Sequence, residues 1–259
     1  METFLNRPIE HHPVVLFAIA LVVQWFAAYL GNYFRLRRKV ADRSEREDLN
    51  DILNATLSLL ALIIGFTFAM AINRYDGRSD LDGAEATAIS TEYARADLLP
   101  VDAAAQVRDL LGRYVQLRIR FYEVDDPEQL EQIRSDTQRL KTKLWSAVAG
   151  PAASAPTPMT ALAVSGMNDV LNSEIQTDEA WRFHIPAAAW VLMLLIAMAS
   201  NLVLGLSEKR RSGVTLAVLP VIVSIPFFLI ADIDSPRAGI IRVVPTSLIA
   251  QAQSMTPKP

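Results

Sequence analysis

The chain has no cysteine. Disulfides, thiolate metal sites and cysteine nucleophiles are therefore excluded, and the redox compartment is left open. Histidine is scarce: His11, His12 and His184 are all there is. The His11-His12 pair has only Glu10 beside it as a further ligand, and it reads as surface at a membrane interface. Positive charge is not in excess. With 25 Lys and Arg against 28 Asp and Glu the net charge is −3, so there is no general electrostatic reason to expect a nucleic-acid partner. The patterns G-x-S-x-G, H-E-x-x-H and the phosphate-binding P-loop are missing. No nucleophile–base pair or metal motif points to an enzyme, and no cofactor is implied. Asp232 and Asp234 with Glu85, Glu92 or Asp97 would be the hard oxygen ligands for a divalent ion, through a fold contact that spacing does not supply.

What is present is segregated apolar sequence. Hydrophobic residues make up 51% of the chain and charged residues 20%. Four spans approach the ~20 apolar residues that a helix needs to cross a bilayer: Val14–Tyr33, Asn54–Ile72, Pro186–Leu206 and Val214–Ile230. Pro220 and Pro226 lie inside the fourth, which membrane helices tolerate when neighbours satisfy the freed carbonyls. The first span is too long for a signal-peptide core and is followed by RLRRK rather than a cleavage site. It reads as a retained helix. Trp25, Tyr29, Tyr33, Trp181 and Trp190 near span ends fit interfacial anchoring.

These spans predict an all-α polytopic membrane protein with an inserted helical bundle. Residues 1–76 hold the first two membrane helices, 77–184 a water-exposed helical domain, 185–233 the last two membrane helices and 234–259 a tail. Arg35, Arg37, Arg38, Lys39, Arg43 and Arg46 lie in the first short link, and Lys209, Arg210 and Arg211 in the second. Short-loop Lys and Arg set orientation, and both links fall on one side. That side is expected to be cytoplasmic, with the helical domain and both termini outside.

Within the domain, Val107, Leu110, Leu111, Tyr114, Leu117 and Phe121 recur at helical spacing, after Asp102 as an N-cap. Leu130, Ile133, Thr137, Leu140, Leu144 and Val148 form a second stripe after Pro127 at a helix start. GPAASAPTP at 150–158 reads as a loop, and a last polar helix is expected over 159–180.

In the second span Ala61, Gly65 and Ala69 recur every fourth residue, a stripe of small side chains that permits close helix contact. Ala197, Asn201 and Gly205 do the same in the third, with Asn201 able to hydrogen-bond across an interface. Phe66 and Phe68 are candidates for a hydrophobic constriction of the kind that gates by dewetting. At one end of the bundle stand Asn73, Arg74, Asp76 and Arg78 after the second span, and Asp232, Asp234 and Arg237 after the fourth. They read as solvated caps, as salt bridges, or as a charged vestibule for ions.

The stretch GFTFAMAINRYDGRSDL, with EATAISTEYARADLLP after it, and the later IADIDSPRAGIIRV resemble the bestrophin-like integral membrane proteins of bacteria. The two blocks bracket most of the chain. Arg74-Tyr75-Asp76-Gly77-Arg78 is also similar to the R-W-W-E-G-R that follows the second helix of bestrophin ion channels. The resemblance implies a homo-oligomer in the bacterial cytoplasmic (inner) membrane and a small inorganic ion as partner. It also implies Phe66 and Phe68 as residues of an aromatic neck. It implies a cytoplasmic position for the region after the second helix, opposite to the Lys/Arg reading. The proline of the bestrophin neck has no counterpart in Leu59–Ile64. Two functions stand: an oligomeric channel lined by the second helix, and a membrane-anchored sensor or scaffold whose helical domain binds an envelope partner.

Overall fold

A computed structural model describes residues 13–37, 43–207 and 213–255. The His11-His12 pair and the cations from Arg38 to Lys39 and Lys209 to Arg211 lie outside them. Every regular element among the described residues is helical: α1 (Pro13–Arg37), α2 (Arg43–Arg95), a 3₁₀ turn (Ala96–Leu98), α3 (Val101–Glu123), α4 (Pro127–Ser154), α5 (Pro158–Arg182), α6 (Ala187–Ser207), α7 (Gly213–Asp234) and α8 (Thr246–Met255). Four segments are helical, long and apolar enough to cross a membrane. The protein is thus an all-α polytopic membrane protein.

The chain divides into two compact units. The first comprises the chain up to Arg74 with His184–Ile241, and the second Tyr75–Phe183 with the chain from Arg242. The stretch from 234, expected as a tail, is therefore shared. Its first residues close the first unit, and α8 packs on α3 in the second.

In the first unit α1 packs on α6 and α7. Gly31 and Gly205 set the distance between α1 and α6. A Cβ on Gly31 would collide with the carbonyl of Leu202, and one on Gly205 with the carbonyl of Ala28. Only backbone fits at this crossing, which is how helices associate where lipid offers no hydrophobic contrast. Above it Asn201 Nδ2 donates to Gln24 Oε1 at 3.1 Å, and Gln24 Nε2 donates to Ser224 Oγ at 3.1 Å. All three side chains are fully buried. The chain of amides ties α1, α6 and α7 together by groups that would otherwise be orphaned in hydrocarbon. α7 remains helical through Pro220 and Pro226.

The second unit is a helical bundle around Val107, Leu111, Tyr114, Leu144, Met167 and Val170. The stripes expected on α3 and α4 face this core, with Leu117 and Leu130 half-buried at its edge and the other members buried. Three local expectations change. Helix α3 begins at Val101 after Pro100, so Asp102 sits in its first turn rather than at the N-cap. Helix α4 runs on through Pro151 to Ser154, because one proline near a helix end forfeits only one hydrogen bond and the alanines around it favour helix. The loop shrinks to 155–157, where Thr157 and Thr160 form a reciprocal capping box before Pro158. Trp181 is not an interfacial anchor. It lies in the core, with ring centroids 5.3 Å from Phe121 and 5.0 Å from Tyr122.

Candidate functional site

Helix α2 carries most of the candidate residues, and its faces are sharply different. Leu60, Thr67, Ala71, Arg78, Asp82, Glu85, Ile89 and Glu92 are buried. They recur at steps of three, four and seven, so they form one stripe along the helix. Opposite that stripe, at 100° per residue, lie Leu62, Phe66, Ala69, Asn73, Asp76, Asp80, Ala84, Thr87 and Thr91. All nine are exposed. Phe66 is 65% exposed, and Phe68 is half-buried. Ala61, Gly65 and Ala69 are exposed too, and a Cβ added at Gly65 would meet nothing within 4 Å. The small-residue stripe of α2 is therefore unused within one chain, whereas that of α6, Ala197, Asn201 and Gly205, is buried.

The charged candidates separate in the same way. Arg78 is buried: its Nε donates to the Ala180 carbonyl at 3.3 Å and its Nη2 to the Phe183 carbonyl at 2.9 Å. These carbonyls lie at the C-terminal end of α5, where the last turn has no intrahelical partners and the helix dipole favours a cation. Asp232 is buried and accepts from the backbone N–H of Ile240 at 2.7 Å and of Ile241 at 2.9 Å. Gly239 makes that turn possible, since a Cβ there would strike the Asp232 carbonyl. Its φ is negative, so the requirement is for space. Asp234 accepts from the Ile185 N–H at 2.9 Å, and its carboxylate lies 3.7 Å from His184 Nδ1. Three of the seven vestibule candidates are thus bound to backbone. Asn73 and Asp76 are exposed, and Arg74 and Arg237 are half-buried.

Two further groups on the buried face have roles that sequence reading does not give them: Asp82 is not singled out, and Glu85 enters only as an oxygen ligand. Asp82 accepts from the backbone N–H of Ser247 at 2.8 Å and of Leu248 at 3.2 Å, capping the N-terminus of α8. Glu85 pairs with Arg118 of α3 through both carboxylate oxygens and lies 3.3 Å from Thr177 Oγ1. Burial pushes the Glu85 carboxyl up against the opposing field of Arg118. It pushes up the hydroxyls of Tyr114 and Tyr122 as well, with the Glu85 charge adding to the effect. The partners lie 33 and 92 residues away, so only the alternation of charge and apolar residues on one α2 face hinted at them. A groove of about 400 Å³ runs between α2 and α5 over Gly83, Ala84, Thr87 and Gly166. No group of three or more metal-ligating side chains occurs among the described residues.

Four apolar helices, a long second helix continuing into a helical bundle and two charged turns at span ends define a polytopic helical membrane protein with an inserted helical unit. The family model for the Bestrophin-like domain matches residues 14–248. The chain belongs to the Bestrophin-like family. No curated protein matches it. Among solved structures it is similar to a bacterial Bestrophin homolog from Klebsiella pneumoniae, at 13% identity over 93% of this chain and 95% of that one, with a TM-score of 0.62. A single-substitution variant of that homolog matches at 12% identity over 95% of this chain and 99% of that one, with a TM-score of 0.63. At such identity the likeness establishes the fold.

Proposed function

We propose that the protein is an oligomeric ion channel in which the exposed face of α2 in each copy lines the conduit, with Phe66 at its constriction and Gly65 beside it. Phe68, two residues on and half-buried, points about 200° away round the helix and does not share that face. The observation that carries this is the exposed face of α2. A membrane helix that buries Leu60, Thr67 and Ala71 presents Gly65, Phe66 and Ala69 outward, where small residues admit another helix closely and an aromatic ring narrows a pore. Membership of the Bestrophin-like family supports a channel over a simple anchor. Asn73 and Asp76 on the same side of the helix then remain as polar groups at the mouth. Ala61, Gly65 and Ala69 serve contact between copies, and Ala197, Asn201 and Gly205 contact within each copy. The permeating partner is a small inorganic ion.

The same reading sets the chain in the bacterial cytoplasmic membrane with the 75–183 unit outside the cytoplasm, supported by the Lys and Arg of the two short links. Purified protein in planar bilayers should pass ion current, and Phe66→Ala should increase unitary conductance. A stable monomer without current contradicts the proposed channel.

A further inference from the structure

The water-exposed half of α2 carries four ionisable side chains on its buried face. Three of them have partners from other elements: Arg78 at the end of α5, Asp82 at the start of α8 and Glu85 on Arg118. The fourth has none. Glu92 is fully buried, and neither of its carboxylate oxygens has a hydrogen-bond partner. It faces α5 at Gly166, where a Cβ would collide with Glu92 Oε2 and stand 2.6 Å from Arg95 Nη1. Gly166 is thus the residue that lets α5 close over this carboxyl.

Two charged groups act on it. Arg95 lies one turn further along α2 and favours ionisation; Asp169 on α5 opposes it. Arg95 is itself drawn toward α5: its Nη1 lies 3.4 Å from the Leu162 carbonyl and 3.9 Å from Asp169. Asp97 in the 3₁₀ turn is paired with Arg108 of α3. An ionised carboxylate here would give up its hydration with no donor to replace it, a cost that buried carboxyls avoid by staying protonated.

We propose that Glu92 is a proton-operated latch on the contact between α2 and α5. Neutral Glu92 permits α5 to close at Gly166. Loss of its proton to water leaves a carboxylate that opens the contact so that solvent or Arg95 can reach it.

The direction follows from linkage. Burial lifts the carboxyl from 4.5 to about 8. The closed contact therefore holds a proton that the opened one releases across that window. Its stability is full below 4.5, falls as pH rises, and is lowest above about 8. One proton of linkage changes the opening equilibrium by about tenfold per pH unit inside the window. The latch does not depend on whether the membrane half of α2 lines a conduit.

Hydrogen exchange on the full chain in lipid nanodiscs, corrected for intrinsic rates, tests it. Between pH 6 and pH 8, amides of 160–170 in α5 should lose protection by about tenfold or more, while amides of 107–118 in α3 keep theirs. Glu92→Gln should abolish the pH dependence. Asp169→Asn, an exposed substitution, removes the opposing charge and should move the midpoint to lower pH with the fold intact. Protection that does not change with pH in the native chain, a loss that persists in Glu92→Gln, or a midpoint unmoved by Asp169→Asn overturns the latch.

Discussion

Asp232 and Asp76 have the same side chain and stand at the ends of two apolar spans, yet they do different work. Asp232 is buried and satisfies two backbone N–H groups; Asp76 is exposed. Replacing Asp232 by Ala leaves the Ile240 and Ile241 N–H groups without their acceptor, at about 1–3 kcal/mol. Asp76→Ala should change stability by no more than about 0.5 kcal/mol. Thermal unfolding in detergent compares the two, and equal losses would contradict these assignments. The turn chemistry of Asp232 was readable: Asp and Ser before Pro236, with Gly239 following, is the composition of a tight turn. The backbone role of Arg78 was not, because its acceptors belong to a helix end about a hundred residues on.

At the scale of elements, two small-residue stripes looked alike in sequence and differ in use. The α6 stripe meets α1 backbone to backbone at Gly205 and Gly31. Gly31→Ala or Gly205→Ala should push the helices apart and cost about 1–3 kcal/mol. Gly65→Ala has open space before it, so the stability of the single chain should not fall, and the helix itself gains from losing a glycine. Denaturant titration in mild detergent reads all three variants. Helix existence was legible from span length and apolar periodicity. Helix partners were not, since an apolar membrane helix advertises no preferred face. The α8 helix escaped notice because ten residues carry too little periodicity to separate them from a tail, and its start depends on Asp82, far away in α2.

For the whole molecule, the four-span, all-helical class was legible before any coordinates, as were the residues that carry the Bestrophin-like resemblance. Orientation is where two lines of reasoning diverge. The Lys and Arg of the short links favour an outside position for the 75–183 unit, whereas the resemblance implies a cytoplasmic one. Because the chain is free of cysteine, Glu131→Cys supplies a unique thiol. In intact spheroplasts a membrane-impermeant maleimide should label it; labelling only after lysis contradicts the Lys/Arg placement.

The central claim is that the exposed face of α2, and not its buried face, meets the ion path. The same cysteine-free background allows single substitutions along it. Current through Leu62→Cys and Phe66→Cys channels should change on adding a charged thiosulfonate reagent, while Leu60→Cys and Thr67→Cys channels should not respond. Current that is indifferent at Leu62 and Phe66, or that responds at Leu60 and Thr67, contradicts a conduit lined by this helix.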